Sequence, residues 1–194
     1  MQYSLSNLLD CAILAATSAG HYALENTHLR KNVLSMTRHD IKLVLDVKCQ
    51  EIATDVIRSH YPESTILGEE ISSTNFAPST MLHKECMQLE WIIDPIDGTV
   101  NFYHGLPLWC CSIAIRKNGK SIIGVVFAPE LDALYTATNK SPSYMNGKPI
   151  YTSKTSKLSE ALFLTSLNQK LETDVFTNES MLRISSKVRK TRVF

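Results

Sequence analysis

The chain has no Cys-x-x-Cys spacing. Its five cysteines, Cys11, Cys49, Cys86, Cys110 and Cys111, are an odd number. They fit neither a disulfide framework nor a paired thiolate motif for zinc. By type they read as small core residues in a reducing compartment, so a cytoplasmic location is expected. An excess of either charge is missing too: 20 Lys and Arg against 19 Asp and Glu leave a formal net charge of +1. Nothing electrostatic argues for a nucleic-acid partner or a charged membrane surface. No Lys or Arg precedes Arg30, and Asp10 interrupts the most apolar run of the N-terminus. That segment is neither a secretory signal nor a spanning helix. Internal repeats and low-complexity tracts are absent. What is there, 194 residues with 44% hydrophobic content, suits one sizeable globular domain, or one and a part.

The chemistry concentrates in Trp91-Ile92-Ile93-Asp94-Pro95-Ile96-Asp97-Gly98-Thr99-Val100-Asn101-Phe102. A short apolar run into an acid predicts a buried strand, with Pro95 stopping it. Asp94 then sits at the strand end and Asp97 follows across a tight turn. Two carboxylates on one turn are hard oxygen ligands for a divalent cation. Gly98 and Thr99 offer backbone N–H groups and a hydroxyl where the chain bends into a helix start, a place for phosphate. Metal and phosphate sites side by side are what metal-assisted phosphate hydrolysis requires.

Around this stretch the pattern predicts α+β. Leu5, Leu8, Leu9, Ala12, Ala16, Ala19 and Ala23 recur at helical spacing, with Ser4 or Ser6 as cap. Asn32 to Lys42 is irregular. A second helix runs from near Asp46 to about Tyr61, with Cys49, Ile52, Ala53, Val56 and Ile57 on its buried face and Pro62 ending it. Asp46 there is a partner for the helix dipole. Ser64 to Leu67 is a strand delivering Gly68-Glu69-Glu70, and Ile71 to Glu90 is an exposed loop in which His83, Glu85 and Cys86 face solvent. Trp109 to Arg116 and Ser121 to Ala128 are strands joined by an Asn118-Gly119 turn. Ala133 to Thr138 is a further strand and Tyr144 to Ile150 a small hairpin, giving an antiparallel sheet covered by the two helices. Beyond Lys157 a strand (Ala161 to Ser166), a helix (Glu172 to Ser186) and a strand (Val188 to Phe194) open a separate α/β layer. The domains are therefore expected at 1–157 and 158–194, the second incomplete.

Trp91 to Phe102, continued by Tyr103-His104-Gly105-Leu106-Pro107 and preceded by Gly68-Glu69-Glu70, resembles the inositol monophosphatase family. The resemblance implies a layered α-β-α-β-α sandwich, of which this chain supplies the first two helices, the large sheet and the start of the second α/β layer. It implies Mg²⁺ as cofactor, held by Glu69, Asp94, the Ile96 carbonyl and Asp97, with Asp97 able to bridge two ions. Glu69 and Thr99 would orient the attacking water, and Ile96, Asp97, Gly98 and Thr99 would bind the substrate phosphate. The family also places an acid facing the metal site where Asp40 to Asp46 stands here, which makes Asp46 a catalytic candidate. The family's Thr in that run is missing, and where the family tends to carry a Lys a few residues earlier this chain has Ser35, Met36 and Arg38. Glu70 is either a further ligand or a sheet-edge acid. The implied substrate is inositol 1-phosphate or a related sugar phosphate, and the implied assembly a homodimer. A 3′-phosphoadenosine phosphatase is the rival enzyme, and a non-catalytic form binding metal or a partner is the rival of another class. The resemblance covers the front part of a typical member. The family's later Gly-Ser-Ala-Ala and Trp-Asp-x-Ala-Ala-Gly segments do not occur in these residues, so a truncated form of reduced activity is expected.

Overall fold

The computed structural model describes residues 4–37, 41–69, 89–165 and 175–193. Arg38, Asp40, Glu70 and most of the expected 71–90 loop, with His83, Glu85 and Cys86, lie outside the described residues. The chain divides into two compact units, Met1–Ile150 and Tyr151–Phe194.

In the first unit, α1 (Leu5–Glu25) buries Leu8, Cys11, Ala12, Ala15, Ala16, Ala19 and Ala23. The recurrence at three and four residues puts them on one stripe, and their small size lets the helix lie close. At Gly20 a Cβ would stand 2.6 Å from Phe127 Cδ1, so glycine is there for the approach. Ser4 is the N-cap residue, but its side chain makes no capping bond. The irregular segment expected over Asn32 to Lys42 instead contains two short antiparallel strands, β1 (Val33–Met36) and β2 (Ile41–Leu43). Too short to show a period, they hold together by pairing. The helix α2 (Val44–His60) begins two residues before Asp46, with Leu43 as N-cap. The Asp46 carboxylate accepts the Leu43 N–H at 2.6 Å, which satisfies an amide that helix geometry leaves unpaired.

A seven-stranded sheet follows, in the order β3 (Thr65–Gly68), β4 (Leu89–Asp97), β5 (Cys110–Lys117), β6 (Lys120–Ala128), β7 (Ala133–Thr138), β8 (Ser141–Met145) and β9 (Lys148–Ile150). Every pairing is antiparallel except β3–β4, which is parallel. Sequence pattern places the last hairpin at Tyr144; the structure starts its first strand at Ser141. The helices α1 and α2 pack on each other, α1 also on β4, β5 and β6 and α2 on β4. Trp91, Ile93, Ile113, Ile115, Ile123, Val125 and Phe127 alternate along the strands and fill the layer beneath them. Trp91 is fully buried, with its Nε1–H on Ser64 Oγ at 3.1 Å. Truncating such a residue to Ala costs about 3–5 kcal/mol.

The second unit contains β10 (Leu162–Thr165), α4 (Val175–Ser185) and β11 (Lys190–Val193), with β10 and β11 parallel. Strand, helix, strand is the order that the sequence pattern predicts; the parallel pairing is what the structure adds. Leu162, Leu164, Leu182 and Val193 are exposed. Among the described residues, no helix is long and apolar enough to cross a membrane.

Candidate active site

The strand β4 carries the site because of one irregularity. Up to Asp94 it alternates, Trp91 and Ile93 towards the helices, Ile92 and Asp94 the other way. Asp94 pairs with Ser112 and Asp97 with Cys110, so Pro95 and Ile96 stand against Cys111 alone. Two residues facing one is a β-bulge. In a regular strand, residues three apart point to opposite faces; the extra residue lets both acids serve one cleft. The expectation that Pro95 stops the strand is thus corrected: β4 runs on to Asp97. A proline is tolerated there because a bulge requires no ladder N–H from it.

The end of β3, the end of β4 and the start of the helix that follows contribute to the resulting cleft. With a volume of about 230 Å³, it is lined by Glu69, Asp94, Ile96, Asp97, Gly98, Thr99, Val100 and Asn101. Glu69 follows the last residue of β3, and its N–H donates to Ile93 O at 3.3 Å. That bond extends the parallel ladder by one residue and sets Glu69 level with Asp94. Gly98 has φ +92°, and a Cβ there would lie 2.9 Å from Leu108 O. Glycine is required on both counts. It is the N-cap of α3 (Thr99–His104), whose first N–H groups have no acceptor within the helix.

The short helix α3 is pinned from three sides. Asn101 Nδ2 donates to Leu108 O at 2.7 Å. Phe102 meets Trp109 edge-on at 4.8 Å. Arg30 lies over the Phe102 ring at 5.9 Å and Lys31 over Tyr103 at 3.5 Å. These cations pack on aromatic faces, and among the described residues no Lys or Arg lines the cleft. Thr99 Oγ1 donates to Ile96 O at 2.9 Å, so a hydroxyl and a carbonyl that the resemblance gives separate roles are bonded to each other.

Of the expected site residues, Glu69, Asp94, Ile96, Asp97, Gly98 and Thr99 line one cleft; Asp46 is not among the lining residues. It is buried at the start of α2, holding the Leu43 amide. Among the described residues, no three His, Cys, Asp or Glu side chains draw together closely enough to cage a metal. The donor chemistry nevertheless fits Mg²⁺. Carboxylate and carbonyl oxygens line an open cleft, and Mg²⁺ keeps several of its waters and uses one or two carboxylates plus substrate oxygens.

Cys110 is a neighbour that sequence reasoning misses. Its Sγ donates to Asp97 Oδ2 at 3.9 Å. Burial first, then the charges of Asp97 and Asp94, push the thiol up to about 11, so it stays protonated at neutral pH. Only the β4–β5 register brings it there, and a pair of adjacent cysteines in an apolar run gives no signal of which one that is.

Helices layered on a mostly antiparallel sheet, with an acidic cleft at a strand bulge, define a layered α+β protein. The chain belongs to the inositol monophosphatase family, whose model matches residues 4–194. It is 32% identical over 187 residues to Inositol monophosphatase 1 of Solanum lycopersicum, covering 96% of this chain and 64% of that protein. A Fructose-1,6-bisphosphatase/inositol-1-monophosphatase of Thermotoga maritima is 32% identical over 186 residues, 95% of this chain and 66% of the relative. The solved structure of a Thermotoga maritima IMPase superposes with a TM-score of 0.80 at 31% identity, over 96% of this chain and 68% of that one. The chain spans less than two thirds of the length of several curated relatives: 64%, 60% and 59%.

Proposed function

We propose that this chain carries the metal-binding and phosphate-binding part of a Mg²⁺-dependent phosphomonoesterase acting on inositol 1-phosphate or a related sugar phosphate. One observation supports the reading above the others: Glu69, Asp94 and Asp97 share a cleft with the start of α3, and among the described residues no cationic side chain lines it. A phosphate dianion would meet three carboxylates there unless a divalent cation came with it. The site thus needs a cation before it can take its anion.

Glu69, Asp94, Asp97 and the Ile96 carbonyl would hold Mg²⁺. When bound, the ion supplies a Lewis acid and a water of lowered pKa. The Glu69 carboxylate accepts a hydrogen bond from the attacking water and aims it at phosphorus. The Thr99 hydroxyl, which donates to Ile96 O in this structure, is the second group available to hold that water. Backbone N–H groups of Gly98 and Thr99 take phosphate oxygens, and the pinned α3 keeps them in place as charge develops. Asp46 would act on this arrangement only indirectly, by holding the Leu43 amide at the end of β2, which packs on α3.

The substrate class follows the relatives' names, inositol monophosphatases and one protein whose name also includes fructose-1,6-bisphosphatase. The test is phosphate release from inositol 1-phosphate, fructose 1,6-bisphosphate and 3′-phosphoadenosine 5′-phosphate, with and without Mg²⁺. Metal-dependent release from the first, lost in Asp94→Asn, supports the reading. Preference for the nucleotide would replace the substrate, and metal binding without turnover of any of them would favour a non-catalytic role.

A further inference from the structure

Among the described residues, two polar side chains are buried in the first unit's core, Asp46 at 1% exposure and Gln50 at 3%. They lie four residues apart on α2, hence on one face and one turn from each other. Asp46 has a local task at the helix start. Gln50 faces something else. A Cβ built on Gly68 would collide with Cδ, Nε2 and Oε1 of Gln50. The whole amide end therefore lies flat against the Gly68 backbone, and glycine stands at 68 to make room for it.

Gly68 ends β3, and Glu69 follows at once into the cleft. The next bond along, Glu69 N–H to Ile93 O, is a long one at 3.3 Å. It is the last ladder bond that the described residues show at this strand end, where Glu69 must stand level with Asp94. Leu or Met would fill the space on α2 with no polar atom to satisfy. A buried amide demands partners in fixed directions, and so fixes the orientation of what it touches. We infer that Gln50 is a positioning residue for Glu69: its amide, seated on Gly68, fixes the end of β3 so that the Glu69 carboxylate faces the metal-binding acids. This inference rests on the metal-site reading above and adds a residue that does not itself line the cleft.

The experiment titrates Mn²⁺ into the full 194-residue protein, read by electron paramagnetic resonance, with the metal-free melting temperature measured in parallel. The proteins are wild type, Gln50→Met, Gly68→Ala and Asp97→Ala. Gln50→Met keeps length and volume but removes the amide; Gly68→Ala displaces the amide from the other side. The expected result is Mn²⁺ affinity lowered about tenfold or more in both. Their metal-free melting temperatures should stay within about 4 °C of wild type, and Asp97→Ala should not bind. Wild-type affinity in Gln50→Met overturns the positioning role while leaving the metal site standing. Absence of Mn²⁺ binding by wild type overturns the metal site, and this role with it. If both Gln50→Met and Gly68→Ala lose their cooperative melting, Gln50 serves packing alone and the inference is overturned.

Discussion

Asp97 and Cys110 stand opposite each other across the β4–β5 ladder, and the thiol donates to the carboxylate at 3.9 Å. With that thiol pushed up to about 11 against a usual value of 9.0, its thiolate fraction at neutral pH is about a hundredfold below that of an ordinary cysteine. Alkylation of Cys110 by iodoacetamide in the folded protein should accordingly rise about tenfold per pH unit to near pH 11, followed by peptide mass spectrometry. A plateau already reached near about pH 9 would mean that neither burial nor the two carboxylates raise the thiol.

Gly98→Ala should damage the site without abolishing the fold. Its left-handed backbone and its 2.9 Å approach to Leu108 O both exclude a side chain. Strain of this kind costs about 1–3 kcal/mol, and relief would come by shifting the start of α3. The expected outcome is a lower melting temperature together with weaker phosphate binding. Unchanged melting and unchanged phosphate binding would show that the turn tolerates a Cβ.

Much of this was legible in the sequence because it depends on local pattern. The α1 stripe, the apolar strand into Asp94, the Asn118-Gly119 turn and the Gly98 bend follow from periodicity and turn chemistry. What was not legible depends on pairing. The spacing of Asp94 and Asp97 would split them across a regular strand, and only the bulge at Pro95 and Ile96 reunites them. The same register places Cys110 beside Asp97. The β1–β2 pair is too short to announce itself. That Asp46 and Gln50 would be the buried polar residues of α2 could not be told from a helix with polar residues on several faces.

Stability should fall on the alkaline side. Burial, with a smaller contribution from Asp46, pushes the Cys49 thiol up to about 12 from 9.0. Between those values the folded protein keeps a proton that the unfolded chain has lost. The contribution is therefore complete below about pH 9 and is lost as pH rises towards 12, by up to about 1.4 kcal/mol per pH unit. Thermal melts from about pH 7 to 10.5 should show Cys49→Ala declining less steeply than wild type. Parallel declines would assign the alkaline loss to other groups.

Asp94→Asn keeps the shape of the side chain and removes its charge. The half-buried Asp94 lies in the cleft, away from the helix-facing layer, so the metal-free melting temperature should change little. Phosphate release should fall on the order of a hundredfold or more, as when one group that stabilises transition-state charge is lost. Turnover within about threefold of wild type, too small a change for such a loss, would remove Asp94 from the metal-binding set.

The central claim is that this cleft admits a phosphate only together with a divalent cation. Calorimetric titration of inorganic phosphate into the protein, with and without Mg²⁺, tests it most directly and does not depend on turnover. The account predicts phosphate binding in the presence of Mg²⁺, none in its absence, and none in Asp97→Ala under either condition. Equal phosphate binding by the metal-free protein, or by Asp97→Ala with Mg²⁺, would contradict it.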